Sequence, residues 1–379
     1  MPWRECDRVS ERLDFVRQAG AGAVSLKELC RRFGVSARTG YTWLRRWRVE
    51  GEAGLVDRSR RPSSSPNQTS AVMEDLVVAV RKEHPVWGGR KIHRVLANQG
   101  HQRVPAPSTI TGILRRRGLL GEETKPRGYQ RWERAEPNEL WQMDFKGHFP
   151  LDSGARCHPF GLLDDHSRYN LTLDACADER TGTVRPLLIK AFRLHGLPSQ
   201  ILCDNGSPWG NGQGQPWTPL TVWLLDVGVG VIHSRPYHPQ TAGKEERFHK
   251  TLGLEVISTR PSWADYHAVQ DAFDSWRTIY NHKRPHDSLD LDVPADRYRP
   301  STRPYPETIE PVDYPDDYQV RIVSAAAKIR YQGRRISVGK AFRGRHVGIR
   351  PTTTDSIITV HYRHHIIRTI NLTDHPTSP

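Results

Sequence analysis

Two short apolar runs in this chain each end on an aspartate, and that repetition constrains the fold more than any other feature of the sequence. Trp141-Gln142-Met143-Asp144 closes a run that reads as the first strand of a sheet, and Gln200-Ile201-Leu202-Cys203 delivers Asp204 from a short buried strand. Asn205-Gly206 signals a turn, so Asp204 projects from a strand end. A third acid, Glu246, lies early in a helical stretch from Lys244 to Thr251. Elements in this order bring all three acids to one edge of a sheet.

Carboxylates gathered at a sheet edge suit phosphodiester chemistry. Attack on a phosphodiester builds negative charge on the entering and leaving oxygens, and two Mg²⁺ or Mn²⁺ ions roughly 3.5–4 Å apart stabilise both. Such hard cations take oxygen ligands, and Mg²⁺ keeps several waters, so a few carboxylates suffice. Taken singly, a strand-end Asp is more often a turn or a helix cap, and a helical Glu is usually solvated. Three acids in ordered contexts favour a metal site, with Asp144, Asp204 and Glu246 as both catalytic and metal-binding residues. Asp164 and Asp165, followed by His166-Ser167-Arg168, read more simply as closing a turn. His166, His238 and His249 read as packing or hydrogen-bonding residues before they read as DNA-positioning ones.

Further segments stand in a telling order around these acids: Gly161-Leu162-Leu163-Asp164-Asp165, Gly196-Leu197-Pro198-Ser199, Pro236-Tyr237-His238-Pro239-Gln240-Thr241, Gly243-Lys244-Glu245-Glu246-Arg247, and Tyr280-Asn281-His282-Lys283-Arg284-Pro285-His286. As a set they resemble the integrase-type catalytic core of retroviral integrases and many bacterial insertion-sequence transposases, across roughly residues 136–300. The resemblance implies an RNase H-like mixed α/β core with an Asp-Asp-Glu triad and two Mg²⁺ or Mn²⁺ ions per active site. It implies a polynucleotidyl transferase that binds the terminal inverted repeats of a mobile element. Such an enzyme nicks the element's ends and joins the 3′-OH to target DNA by transesterification. Double-stranded DNA and a homo-oligomeric synaptic complex are the implied partners. The match to Gly-Lys-x-Glu-Arg selects Glu246 over Glu245, which then faces solvent or DNA while Phe248 and Leu252 pack on the core. A metal-dependent nuclease of the same fold, or a catalytically silent DNA-binding regulator, remains an alternative.

Two positions depart from the pattern. Asp204 and Glu246 are 42 positions apart, wider than usual, with the polar, Gly-rich run Pro208 to Gly214 between them. A surface loop absorbs that length readily. Many relatives also carry a basic residue seven positions after the glutamate, where this chain has Gly253; Lys250 can share the same helix face.

Charge is distributed unevenly. Against an overall +14, residues 1–134 carry 27 Lys and Arg to 14 Asp and Glu, residues 135–317 carry 18 to 26, and residues 318–379 carry 11 to 2. Basic flanks around an acidic centre fit a protein whose arms hold DNA. The five cysteines show no C-x-x-C pair, so neither a disulfide framework nor a zinc finger is indicated. Neither a signal peptide nor a membrane-spanning run is evident, and the expected location is the cytoplasm, on the nucleoid.

The N-terminal arm, residues 1–60, reads as a helix-turn-helix domain. Ser25 and Glu28 form a capping-box pattern before Leu29 to Phe33, Gly34-Val35-Ser36 makes the turn, and Ala37 to Val49 supplies a second helix. Leu29, Phe33, Val35, Leu44 and Trp47 form its small core, leaving Arg38, Thr39, Thr42, Arg45 and Arg46 to face DNA. Arg58 to Asn67 reads as a linker. Residues 68–125 form a second helical module, with Arg90, Lys91, Arg115, Arg116 and Arg117 as candidate phosphate contacts, although arginines ending a helix also stabilise its dipole without any ligand.

In the core segment, Lys244, Arg247 and Lys250 are further candidate DNA contacts. Residues 136–300 include a helical extension from Trp263 to Tyr280. From residue 318 to 372, short alternating runs broken by Gly and Asp imply a small basic β-barrel, with Arg334 and Arg335 on its DNA-facing side. The whole is a multidomain α/β chain: helix-turn-helix modules, an RNase H-like core, and a C-terminal barrel.

Overall fold

A computed structural model describes residues 8–59, 68–120, 133–210, 217–234 and 243–375. The linker 60–67, the middle of the Gly-rich loop, and Pro236 to Thr241 with His238 lie outside the described residues. The chain divides into two compact units, residues 1–68 and 69–379.

The first unit holds α1 (Arg8–Ala21), α2 (Leu26–Arg32) and α3 (Ala37–Glu50). Ser25 caps α2 by accepting the Glu28 N–H at 3.4 Å, and Ser36 caps α3 through the Thr39 N–H at 3.2 Å. Glu28 does not complete the capping box; its carboxylate takes Arg31 and Arg32 instead. Between the helices Gly34 adopts φ +63°, a left-handed turn that side chains resist. Leu29 and Leu44 are buried as the alternation implies, with Phe33, Val35 and Trp47 packed beside them. Phe15, Val16 and Leu55 complete this core from α1 and from the turn after α3.

The second unit opens with three helices, α4 (Ala71–Glu83), α5 (Gly89–Asn98) and α6 (Pro107–Arg116), packed around Val77, Trp87, Ile92, Leu96, Ile110 and Leu114. The central sheet follows. Its strands are β1 (Leu140–Phe145), β2 (Phe149–Pro150), β3 (Arg156–Asp164), β4 (Asn170–Cys176), β5 (Gln200–Cys203) and β6 (Gly230–His233), with α7 (Thr181–His195) and α8 (Pro219–Asp226) in the crossovers. The order is β2-β3-β1-β5-β6, with β4 also pairing with β3. β1 to β4 are joined antiparallel, whereas β1, β5 and β6 run parallel. One face is covered by α7 and α8 through Val184, Leu188, Phe192, Leu220 and Trp223. The other is covered by α9 (Gly243–Glu255) and α10 (Tyr266–His282) through Phe248, Leu252, Phe273, Trp276 and Tyr280.

The C-terminal segment is all-β but is not the closed barrel that its alternation implies. Strands β7 (Gln319–Ile322), β10 (His346–Pro351), β11 (Ile357–Tyr362) and β12 (His365–Asn371) form an open sheet in the order β12-β11-β10-β7. β8 (Lys328–Tyr331) and β9 (Arg334–Ser337) make a separate hairpin. Closure needs ladder bonds between the outer strands, and here β7 and β12 each keep one free edge.

What replaces closure is packing: the hairpin and sheet share a core with Val222 and Leu225 of α8. Asp226 ends that helix almost fully buried, and there it meets Arg345 at 2.9 Å, Arg363 at 3.6 Å and the Tyr362 hydroxyl. Asp226→Ala strands two guanidiniums at this seam. A loss of about 2 kcal/mol is expected, below the usual range for a broken buried pair because Arg345 is half exposed. Urea unfolding followed by tryptophan fluorescence measures it.

Candidate active site

The β1–β5 ladder explains why the two aspartates meet. Leu140 pairs with Gln200, Trp141 with Ile201 and Gln142 with Leu202, all parallel. The same register carried two residues further sets Asp144 beside Asp204, at the carboxyl ends of neighbouring parallel strands where open α/β sheets bind ligands. Asp144 is partly exposed and Asp204 exposed. Burial, and next the charge of Asp204, pushes the Asp144 carboxyl up to about 7. An acid whose ionisation a neighbouring carboxylate opposes belongs to a donor set that a divalent cation satisfies. Among the described residues no third His, Cys, Asp or Glu joins them in a metal-holding cluster.

Asp204 is held from its own loop. Its Oδ1 accepts the Gly206 N–H at 2.9 Å and the Trp209 indole N–H at 2.5 Å. Trp209 is buried, with its ring stacked on Phe145 at 5.7 Å. The return of this loop brings Gly210 so close that a Cβ would lie 2.3 Å from the Asn205 carbonyl oxygen. The sequence reading treats Trp209 as part of a polar surface loop; its only signal is a large aromatic ring in an otherwise Gly-rich run. Trp209→Phe keeps the stack and removes the donor. About a tenfold fall in DNA cleavage with an unchanged melting temperature is expected, the scale of one charge-assisted hydrogen bond.

α9 presents the two glutamates differently from the expectation. Glu245, expected to face solvent or DNA, is buried at 3% exposure, whereas Glu246 is exposed. The reason is helical phase. Phe248 and Leu252 do pack into the core, and Glu245, three residues before Phe248, must share their face. Gly161, the β3 partner of Asp144, makes room: its Cβ position is 3.3 Å from Phe248 and 3.8 Å from Glu245 Oε2. Neither Glu245 oxygen has a hydrogen-bond partner, and burial, then Asp144, pushes its carboxyl well above the usual range. His249 lies beneath the same acids, 3.8 Å from Asp144 and 3.6 Å from Glu245, and burial lowers its pKa to about 4. It is a neutral packing residue. The cavity that Glu245 lines with Gln142, Asp144, Asp204 and Ser234 is about 30 Å³, room for about one or two waters.

Asp164 and Asp165 close structure. Asp164 accepts the backbone N–H groups of Asn138 and Ser167, and Asp165 takes the Arg134 N–H and the Gln142 amide. Asp165 also pairs with Lys244, so that candidate DNA contact is committed inside the fold. His166 is likewise structural, its Nδ1 lying 3.0 Å from the Arg134 carbonyl oxygen.

Among the candidate DNA contacts, Arg38 and Arg45 are exposed on α3, and Thr39, Thr42 and Arg46 are half-buried on it. Arg46 also lies over the Trp43 ring. In the second module several of the candidate contacts meet acids of the fold. Arg90 pairs with Asp287 at 3.1 Å, and Lys91 sits near Arg284 and Asp287, where burial lowers its ammonium to about 7. Arg116 pairs with Glu74 at 2.7 Å and Arg117 with Glu74 and Asp75. These side chains tie the helices to one another and to the segment after α10, a link that Arg94 strengthens through Asp292 at 2.9 Å. Arg115, Arg247, Lys250 and Arg335 are exposed. Arg334 is half-buried and donates to the His375 carbonyl.

Comparison with known proteins is consistent along the chain. Integrase core domain models match residues 134–239 and 227–294, and the model of the IS481 family transposase C-terminal domain matches 318–377. A helix-turn-helix domain matches 11–63 and a homeodomain-like domain 39–114. An uncharacterized protein of insertion element IS407 from Burkholderia multivorans is 23% identical over 245 residues, 62% of this chain and 83% of that protein. The transposase for transposon Tn552 of Staphylococcus aureus is 21% identical over 286 residues, 67% of this chain and 57% of that protein. Among solved structures, a chain of the simian T-cell lymphotropic virus intasome is 16% identical with TM-score 0.37, covering 78% of this chain and 99% of its own. The HTLV-2 integrase catalytic core with magnesium is 15% identical with TM-score 0.32, covering 44% and 99%. Among the described residues no helix is long and apolar enough to cross a membrane.

Proposed function

From the premise that this chain belongs to the insertion-sequence transposases of the retroviral integrase superfamily, we propose that it cuts the ends of a mobile element and joins the freed 3′-OH to target DNA at Asp144 and Asp204. The observation that carries this reading is the parallel register that sets two carboxylates side by side at the open end of β1 and β5. Mg²⁺ or Mn²⁺ bound there supplies charge stabilisation for the entering and leaving oxygens.

Glu246 is the third ligand in this reading, despite the burial of its neighbour. A cation of this kind takes ionised oxygen ligands, and burial, then Asp144, holds the Glu245 carboxyl well above the usual range. Glu246 stands exposed on the first turn of α9. Trp209 and the Gly206 N–H keep Asp204 turned outward, and Glu245 with His249 floors the site without contributing charge.

DNA is gripped elsewhere. α3 presents Arg38 and Arg45 as a recognition helix for the terminal repeats, and the C-terminal sheet adds phosphate contacts through its excess of arginine. Because an element has two ends, a homo-oligomeric synaptic complex is the working assembly. The test is a duplex carrying the DNA that flanks the coding region, incubated with a supercoiled target in Mg²⁺. Covalent end-to-target products support the reading. Hydrolysed ends without joined products would make the protein a nuclease of the same fold.

A further inference from the structure

Gly253 and Lys146 occupy one place in this fold. Lys146 follows Asp144 by two residues, just past the end of β1, and its side chain runs across α9. An ideal Cβ on Gly253 would lie 3.4 Å from Lys146 Cε and 3.7 Å from its Nζ. Gly253 is one helical turn beyond His249, which touches Asp144, and the Lys146 charge reaches His249. The ammonium therefore lies beside the turn of α9 that carries His249, the residue that touches Asp144. Among the described residues no carboxylate pairs with it, in contrast to Lys244, Arg90 and Arg116, which are all committed to acids.

We infer that Lys146 binds a DNA phosphate at the reacting strand, its cation carried by the end of β1 and lying in the space that a side chain at position 253 would fill. The inference rests on the proposed site at Asp144 and Asp204. An ammonium is a compact point charge suited to phosphate, and the site's own side chains are otherwise acidic or neutral. A Cβ at 253 would only touch Lys146, but a longer side chain there would compete with it for the same space. Lys250 does not fill this role, because it points to solvent from an exposed position on α9.

The test uses the full chain and two probes. In Mn²⁺-supported nicking of a supercoiled plasmid, Lys146→Ala is expected to lose about 10–100-fold, the scale of one charge-assisted contact. Combining it with Gly253→Lys should restore most of the rate, since the cation then comes from α9 into emptied space. Gly253→Lys alone should be slower than wild type, and Lys250→Ala nearly unchanged. Lys146→Ala within about twofold of wild type, or a double variant that melts normally yet nicks no better than Lys146→Ala, overturns the inference.

The second probe does not depend on turnover. Lys146→Cys should exchange with a duplex bearing a mixed disulfide tethered to a backbone phosphate, releasing the small thiol and leaving protein joined to DNA, and Lys190→Cys, on α7, should not. Equal cross-linking of the two overturns the inference. A wild-type protein that never nicks counts against the proposed function, and the cross-link then judges Lys146 by itself.

Discussion

Asp144→Asn and Asp204→Asn each abolish cleavage and joining while leaving duplex binding within a few tenths of a kcal/mol of wild type. The amide keeps the shape of each side chain and removes the charge that, in the proposed reading, holds a cation. A loss on the order of 10²–10³-fold or more follows, the scale for deleting one group that stabilises transition-state charge. Binding is expected to survive because in the proposed reading affinity comes from the basic flanks, where each phosphate contact releases counterions. Asp204→Asn additionally keeps an acceptor for Trp209, so its loop stays folded. Fluorescence anisotropy on a labelled duplex, run beside gel-resolved cleavage, separates the two quantities. Equal loss of binding in both variants would mean that the acids support the fold instead.

Glu246→Gln eliminates catalysis, and Glu245→Gln retains most of it. Glu245 is buried without a hydrogen-bond partner, so its carboxyl is held in the neutral form, of which glutamine is close to an isostere. Replacing it changes little in the site's charge. Glu246 is exposed on the first turn of α9, and in the proposed reading its loss removes a ligand. Mg²⁺-supported cleavage of the two variants decides the matter. Should Glu245→Gln be the dead variant, the helix delivers the buried acid to the metals and the third ligand moves one residue toward the N-terminus.

Much of the fold is legible in local pattern. Each aspartate follows an apolar run too short for a helix and ends at a turn signal, so β1 and β5 follow from period and punctuation. Ser25, Gly34 and Ser36 announce α2, the turn and α3, because caps and left-handed glycines act within one helical turn. The alternating runs after residue 318 are strands in the structure, yet the barrel they imply stays open. Alternation specifies which side chains face inward, but not whether the first and last strands meet.

The sequence by itself determined the acids, the strands that end on them, the helix-turn-helix and the basic flanks, since each depends on residues close along the chain. The tertiary structure alone decided which charges are available. Arg90, Lys91, Arg116 and Lys244 read as DNA contacts until acids distant in sequence, or helices packed across from them, claim them. Trp209 reads as loop until it reaches Asp204, and Glu245 reads as surface until Phe248 and Leu252 set the phase of α9. Lys146 reads as one more lysine until Gly253 leaves it a path across the helix. The physical reason is common to all four: hydrogen bonds, ion pairs and burial act over a few ångströms in space, and only folding brings residues that are far apart in the chain within that range.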